Sequence, residues 1–474
     1  VCSSDLPMKK TIVISILLCA MSLFFYSCSK PEALSVEIAE TSTDAVVQGA
    51  NDSLTFSAGE TGVLRIKDGN LLFFDYKSRK DYVICSRANC RHNDDSCSGW
   101  YEGYRGALGL AEYGGKLYCF INNSEKNVYE LVQMNLDGNH RKVITEIDRG
   151  DGAPGKWEAD LNLSPTYYAG HKVITILNWH YNPADSDEED IQTQQCIAVD
   201  LQSGEITEVT PRQKEPVQCI IEAVSKNHSA IEVSGYQEQP LTQREFYEQY
   251  EQGAFAKNDR IMKAKDPYEG YQDWYFDETP QWYRYLLFDL KQEDTSIIKK
   301  GFLKKVRNED GEVRAFVPPF YISGLYEDDL ITEEIEEEMI EDEGYLGFVK
   351  NRVYRWDLKK DQKELLLDLE NGYVFDAGGV DVSSIIEGDT LLFLKRKPNG
   401  KADYYRYSLK TGKEELLYEA ERNVPYRIVG ETKRSFLYYT ADDTKKSMYM
   451  MDKEDYYKGD FEGSVRLKEL DEYF

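Results

Sequence analysis

The chain has 474 residues and a formal net charge of −28, with 85 acidic and 57 basic side chains. Such a charge repels phosphate backbones, so nucleic acid is excluded as an expected partner. The length favours several domains or one large repeat-built domain over a single small core, and the 35 tyrosines and 19 phenylalanines favour β-strands.

The first predicted element is a secretory signal at residues 8–27. Lys9 and Lys10 precede an uninterrupted apolar run, and Ser27 stands directly before Cys28. This layout resembles a bacterial lipoprotein signal, which implies lipid transfer to the Cys28 thiol and cleavage before it; the alternative is an ordinary cleaved signal. We therefore expect a protein on the extracytoplasmic face of the cell membrane, attached through its lipid only. Residues 1–7 look like translated sequencing adapter.

A flexible acidic tether is predicted for residues 28–60. This stretch is polar and rich in small residues, with no sustained hydrophobic periodicity. Segments of that composition do not bury enough apolar surface to fold alone. We expect the tether to hold the folded part of the chain away from the membrane.

Residues 61–474 repeat one pattern: an aromatic-rich strand ending in Asp, Asn or Ser, a short turn, and a second strand with alternating apolar residues. Each unit is a predicted hairpin, because Gly, Asn and Asp supply the turn conformations. The units are residues 72–84, 131–144, 197–209, 285–298, 353–367, 404–418 and 448–467. A further strand precedes most hairpins, as at residues 114–120, 170–176 and 388–394. Three to four strands per unit predict an all-β fold, a β-propeller of about seven blades, with six to eight possible.

The repeat around residues 112–138 also supports a family resemblance. Glu112-Tyr-Gly-Gly-Lys-Leu-Tyr-Cys-Phe, followed by a strand and by Leu136-Asp-Gly, resembles the repeat of uncharacterised bacterial lipoproteins with a TolB-like or YWTD-like propeller domain. The resemblance to TolB implies partner binding rather than catalysis. The chain lacks a recognisable N-terminal αβ domain of the TolB kind, so the resemblance supports the fold more than the activity.

Four residues between positions 85 and 97 form the most specific local motif: Cys85, Cys90, His92 and Cys97. Three thiolates and an imidazole can complete a tetrahedral site, so one structural zinc is the first hypothesis. A disulfide within the group is the second, because an exported chain meets an oxidising environment. Cys119, Cys196 and Cys219 lie on predicted strands and are expected to be buried apolar residues.

A long insertion is predicted at residues 237–281, within the fourth unit. Thr242 and Glu245 form a capping-box pattern that predicts a short helix. Aromatic residues follow among carboxylates, which suits stacking on a sugar, and the alternative is a small core that folds the insertion onto the propeller. The candidate ligand-binding residues are Tyr268, Tyr271, Trp274, Tyr275 and Trp282.

The acidic run at residues 327–343 lacks the spacing of a calcium loop. Its density of like charges predicts a solvated helix or loop.

The sequence contains no G-x-S-x-G, phosphate-loop or H-E-x-x-H motif, so we assign no catalytic residue. The expected function is binding of a glycan, a peptide or an envelope protein. The alternative is a propeller hydrolase or lyase acting on carbohydrate through paired carboxylates, whose separation the sequence does not give.

Overall fold

The computed structural model describes residues 32–51, 55–94, 96–101, 107–161, 165–184, 191–238, 240–307, 313–340, 345–370, 373–374, 385–397, 399, 401–421, 427–441 and 446–473. These residues form a seven-bladed β-propeller with a helical insertion, as the sequence predicted. All seven predicted hairpins pair as antiparallel neighbours.

The first three blades contain strands β1 to β15. Blade 1 comprises β3 (Ser57–Ala58), β4 (Gly62–Lys67), β5 (Asn70–Asp75) and β6 (Lys80–Val83), with β1 (Glu32–Ala33) parallel to β6. Blade 2 comprises β7 (Ala107–Tyr113), β8 (Lys116–Asn123), β9 (Val128–Met134) and β10 (Lys142–Asp148). Blade 3 comprises β12 (Thr166–Ala169), β13 (Lys172–Asn182), β14 (Ile191–Asp200) and β15 (Ile206–Glu208); β2 (Val47–Gln48) pairs with β12, and β11 (Lys156–Asp160) pairs with β13.

Blade 4 carries the insertion and is followed by a short ribbon. The blade comprises β16 (Val217–Val224), β17 (His228–Tyr236), β18 (Gln281–Asp289) and β19 (Asp294–Phe302). Helices α1 (Gln243–Glu251), α2 (Asp259–Lys263) and α3 (Pro267–Glu278) lie between β17 and β18. The ribbon pairs β20 (Lys304–Arg307) with β21 (Val313–Val317).

The last three blades complete the ring. Blade 5 comprises β22 (Tyr321–Tyr326), β23 (Asp329–Ile340), β24 (Tyr345–Asp357) and β25 (Gln362–Glu370). Blade 6 comprises β28 (Thr390–Arg396), β29 (Lys401–Ser408) and β30 (Lys413–Glu421), with β26 (Tyr373–Val374) and β27 (Ile385–Ile386) both beside β28. Blade 7 comprises β31 (Arg427–Glu431), β32 (Ser435–Ala441), β33 (Lys446–Asp452) and β34 (Val465–Arg466), with helix α4 (Lys453–Lys458) after β33 and 3-10 turns at Phe461–Gly463 and Lys468–Tyr473.

The core is divided into apolar clusters, one between each pair of consecutive blades. The cluster that closes the ring packs Val63 and Phe74 of blade 1 against Val429 and Leu437 of blade 7. Strand alternation explains this arrangement, since successive side chains point to opposite faces of a blade and both faces contact a neighbour.

The sequence predicted a flexible tether at residues 28–60, and the structure contradicts this prediction for residues 32–51 and 55–60. Instead of extending freely, this segment crosses from the edge of blade 1 to the first strand of blade 3. Thr41 donates its N–H to Glu112 Oε2 at 2.6 Å, and Asn51 Oδ1 accepts the N–H of Gly109 at 2.9 Å. A Cβ at Gly49 would lie 2.7 Å from the Gly109 backbone, so the close approach requires glycine. The prediction from amino-acid composition was wrong here because a few buried side chains and backbone pairings order an otherwise polar segment.

The acidic run also differs from its prediction, because residues 329–340 form strand β23. Strand β24 faces it with basic residues: Arg355 lies opposite Ile331 and binds Asp329 at 2.6 Å, and Arg352 lies opposite Glu334. Opposite charges across a strand pair offset the repulsion that favoured a helix or loop.

Candidate metal centre and ligand cleft

The loop after β6 brings together the four predicted Cys and His side chains. One ligand atom from each of Cys85, Cys90, His92 and Cys97 lies within 4.8 Å of the others. His92 Nδ1 is 3.2 Å from Cys97 Sγ. Cys85 and Cys97 are buried, whereas Cys90 and His92 are half-buried.

Neighbouring backbone fixes this loop in place. Leu71 donates its N–H to Gly99 O at 2.8 Å, and Ser98 Oγ donates to Ile84 O at 3.2 Å. The turn between β9 and β10 of blade 2 packs against it: a Cβ at Gly138 would lie 2.3 Å from Ile84 O. The φ of +80° at Gly138 also favours glycine. The cluster therefore sits where blades 1 and 2 meet.

The pKa shifts of Cys85 and His92 favour the forms that bind a cation, whereas that of Cys97 favours the neutral thiol as long as no cation is bound. Burial raises the pKa of the Cys97 thiol to about 12. Burial also acts to raise the pKa of Cys85, but hydrogen bonds from the Arg87 amide and from neighbouring hydroxyl and thiol groups lower it overall. Burial lowers the pKa of His92, which favours the neutral imidazole. A thiolate and a neutral imidazole are the forms that bind metal, so this group can hold an ion such as zinc.

The second candidate site is a cleft between blades 3 and 4, where the apolar core of those blades ends. Ile174 and Ile176 of β13 belong to that core. Two and four residues beyond Ile176, on the same face of the strand, Asn178 and His180 line the cleft. The same change occurs along β14, from Cys196 in the core to Gln194 and Gln192 in the cleft.

Hydrogen bonds fix several polar side chains on the blade 3 wall. Gln194 Nε2 donates to Asn178 Oδ1 at 2.8 Å, while Gln194 Oε1 accepts the N–H of Cys219 from blade 4 at 2.7 Å. Tyr129 Oη donates to Asp160 Oδ1 at 2.7 Å. Gln194 thus bridges the two blades at the base of the cleft, and Asp160 is held from behind.

Blade 4 supplies the opposite wall, and the helical insertion supports it. The blade 4 lining comprises Pro216, Val217, Gln218, Ser234, Gly235, Tyr236 and Gln281. The ring of Tyr236 lies 5.5 Å from the rings of both Tyr275 and Phe276 in α3. The cleft has a volume of about 600 Å³, within the range of small-molecule sites.

The sequence analysis missed this cleft. His180 lies on β13 opposite Gln192 of β14. The sequence signal that could have revealed the cleft is the alternation along this strand. Every second residue from 174 to 180 lies on one face, and that face changes from apolar at residues 174 and 176 to polar at residues 178 and 180. Only the packing of blade 3 against blade 4 turns that face into a cavity wall.

The aromatic residues predicted to bind a ligand are divided between two environments. Tyr271 and Tyr275 are buried, and Tyr268 and Trp274 are half-buried, in a small core around Phe246 and Ile261. These four residues therefore fold the insertion, which is the alternative that the sequence left open. Trp282 lies on β18, where its Nε1 donates to Tyr236 O at 3.1 Å and the Arg284 guanidinium lies 4.8 Å from the ring centroid.

The prediction for the remaining cysteines is confirmed, whereas the prediction of a lipoprotein signal is not tested by the structure. Cys119, Cys196 and Cys219 are buried free thiols, as predicted. Cys28 lies outside the described residues, so lipid attachment stays a prediction. Within the described part of the chain, no helix is long and apolar enough to cross a membrane.

A second cavity, of about 610 Å³, lies between blades 7 and 1. Two carboxylates of its lining already accept backbone hydrogen bonds. Lys433 of blade 7 donates its N–H to Glu60 Oε2 at 2.8 Å, which helps to close the ring, and within blade 1 Ser78 donates its N–H to Asp75 Oδ2 at 2.6 Å. Because these carboxylates satisfy backbone groups, we place the candidate ligand site in the cleft between blades 3 and 4.

Two carboxylates interact in blade 4, away from the cleft lining. Glu222 interacts electrostatically with Glu232, which lies opposite Tyr285. Tyr285 packs against Phe320 of blade 5, with ring centroids 4.9 Å apart. The pair therefore adjoins a packed interface between blades.

No protein-family model matches the chain, and no curated protein sequence matches it significantly. Its fold is similar to an oligogalacturonate lyase in complex with manganese, at 12% identity and a TM-score of 0.34, over 81% of this chain and 82% of that one. It is also similar to the propeller domain of the Trilobed protease from Pyrococcus furiosus, at 9% identity and a TM-score of 0.35, over 73% and 83%. TolB from Acinetobacter baumannii matches at 10% identity and a TM-score of 0.26, over 89% and 83%. Similarities this low say nothing about ligand or activity.

Proposed function

We propose that this protein is a lipid-anchored, extracytoplasmic binding protein that takes its ligand in the cleft between blades 3 and 4. The observation that carries the proposal is the replacement of the interblade core by a cavity with amide-rich walls. Rigid strands hold these walls, and such preorganisation favours binding because little ordering is required of the protein.

The cleft favours binding over catalysis. Amide side chains donate and accept hydrogen bonds but do not transfer protons at neutral pH. Asp160, His180 and Tyr236 are the titratable side chains in the described lining, and Asp160 accepts a hydrogen bond from the Tyr129 hydroxyl. The carboxylate pair Glu222 and Glu232 does not line the cleft. The alternative of a hydrolase or lyase therefore has less support from this site.

Variants on the blade 3 wall test the binding site. Gln192 is exposed and His180 is half-buried, so replacing both with Ala should preserve the fold. On arrays of oligosaccharides and cell-envelope peptides, the unmodified protein is expected to bind at least one class, and the double variant to lose at least tenfold in affinity. Gln362→Ala, at an exposed position of blade 5, is the matched control. Binding that the double variant leaves unchanged would place the ligand elsewhere.

The anchor part of the proposal depends on the signal that ends at Cys28. Two acyl chains on this thiol supply stable membrane attachment, whereas one chain gives marginal binding. Cys28→Ala should therefore abolish incorporation of labelled fatty acid. Persistent labelling of the variant contradicts lipid attachment at this residue.

We also propose that the Cys and His cluster holds one structural zinc. All four side chains converge, whereas a disulfide would account for only two of them. Four protein ligands leave no open position for substrate, so the ion would stabilise the loop. Elemental analysis should find about one zinc per chain, lost in Cys90→Ala and retained in Cys196→Ala, which removes a buried thiol outside the cluster. Zinc-free protein with a mapped disulfide among these cysteines supports the competing hypothesis.

A further inference from the structure

The side chains that line the cleft share one chemical character. The amides are Asn178, Gln192, Gln194, Gln218 and Gln281, and the described lining contains no Lys or Arg. An amide side chain both donates and accepts hydrogen bonds, and a hydroxyl group does the same, so the two can pair in either direction. An anionic group would instead find no Lys or Arg in this described lining and would lie near Asp160.

Two arginines of the segments around blade 3 are engaged in contacts of their own. Arg149 binds Glu158 at 2.6 Å and also donates to Asn122 Oδ1 at 3.1 Å. Arg212 stacks on Trp179, with its guanidinium carbon 4.6 Å from the ring centroid. Trp179 alternates with Asn178 and His180 along β13, so it points away from the cleft face. These contacts leave the local charge balance unfavourable to a carboxylated or phosphorylated ligand.

Two aromatic rings in contact connect the cleft to the helical insertion. Tyr236 lines the cleft, and Phe276 of α3 packs against it with an interplanar angle of 60°. Phe276 is 45% exposed although its neighbour Tyr275 is only 4% exposed. A large exposed ring adjoining a polar cavity provides a stacking surface beyond the cavity itself.

We propose that the cleft binds an uncharged oligosaccharide, with one sugar ring against Tyr236 among the amides and the next ring extending over Phe276. This inference rests on the proposed binding function and adds its ligand class. The amides of Gln192, Gln218 and Gln281 contact hydroxyl groups, and the two aromatic rings contact the apolar faces of successive sugars. The insertion then contributes Phe276, which contacts only ligands longer than the sugar units held in the cleft.

Titration calorimetry with defined probes tests the inference. The probes are the neutral tetrasaccharides cellotetraose, chitotetraose, maltotetraose and mannotetraose with their disaccharides, the anionic tetragalacturonate, and a cell-envelope peptide. At least one neutral tetrasaccharide should bind more tightly than its disaccharide. Phe276→Ala should weaken the tetrasaccharide about five- to tenfold, the loss of one stacking contact, and leave the disaccharide unchanged.

Controls separate this inference from the binding function on which it rests. Leu416→Ala removes an exposed apolar side chain from blade 6, 56% exposed, and should leave all affinities unchanged. Tyr236→Leu should weaken both ligand lengths, with its melting temperature checked because Trp282 bonds to this backbone. Binding of tetragalacturonate or peptide that depends on Gln192 would overturn the neutral oligosaccharide and retain the cleft. Binding of no probe by the unmodified protein would overturn both.

Discussion

Glu222 is a residue whose protonation should make stability depend on pH. It lies at a register irregularity of β16, between Ile221 and Ala223. Burial, together with the Glu232 carboxylate, raises the pKa of Glu222 to about 8 from a usual value of 4.5. Below pH 4.5 both folded and unfolded chains are protonated here, so this group carries no penalty. As pH rises towards 8, the unfolded chain ionises first, and folding loses stability until the folded pKa is passed.

Glu222→Gln should remove this penalty. The free energy of unfolding of the variant, relative to the unmodified protein, should rise between about pH 5 and pH 8 by up to about 1.4 kcal/mol per pH unit. Urea unfolding at a series of pH values measures the difference. Glu208→Gln, at an exposed position on β15, should give a flat profile. Parallel profiles for both variants would show that Glu222 ionises in the folded state as it does in the unfolded state.

The helical insertion is an element with a core of its own. Phe246 in α1 is fully buried, and rings surround it at centroid distances of 5.0 Å for Tyr271 and 5.1 Å for Phe255. The Thr242 capping box begins the helix, as the sequence predicted. The insertion is linked to blade 4 through the Tyr236 contacts, and to strand β20 of the ribbon through the ion pair of Arg307 with Glu278 at 2.7 Å.

Phe246→Ala should therefore open the insertion without unfolding the propeller. Removing a fully buried phenylalanine costs about 3 kcal/mol or more. We expect this cost to exceed the free energy of unfolding of a three-helix segment of this size. Limited proteolysis should cut within residues 243–278, while the main calorimetric transition keeps its temperature. Phe276→Ala, at an exposed ring of the same segment, should remain resistant. A lowered main transition without local cleavage would mean that insertion and propeller unfold as one unit.

The elements also show where sequence patterns were sufficient and where they failed. The hairpins could be predicted because alternation and turn residues are local signals, as at residues 197–209. Strand β23 could not, since its acidic residues are offset by Arg352 and Arg355 on the partner strand β24. The cleft escaped prediction for a similar reason: Gln194 becomes a bridging residue only when Cys219 of the next blade meets it.

The whole molecule is a closed ring, and its closure depends on contacts between the first and last blades. Among the described residues, no strand pairing joins blade 7 to blade 1. Side chains do so instead, through the cluster around Val63 and Leu437 and through Arg65 of β4. The Arg65 side chain is 3% exposed, pairs through Nε with Asp81 at 3.0 Å and donates through Nη1 to Glu469 O at 2.7 Å. One buried guanidinium thus connects blade 1 to the C-terminal 3-10 turn.

Arg65→Leu should weaken the ring more than the loss of an ion pair within one blade. Breaking a buried pair leaves Asp81 without its cation and Glu469 O without its donor, at a cost of about 3 kcal/mol in the free energy of unfolding. Arg355→Leu is the matched control: Arg355 is 26% exposed and its pair with Asp329 lies inside blade 5, so its loss should cost about 1 kcal/mol. Chemical denaturation measures both values. Equal losses would mean that Arg65 contributes as an ordinary ion pair, and that apolar packing between blades 7 and 1 alone closes the ring.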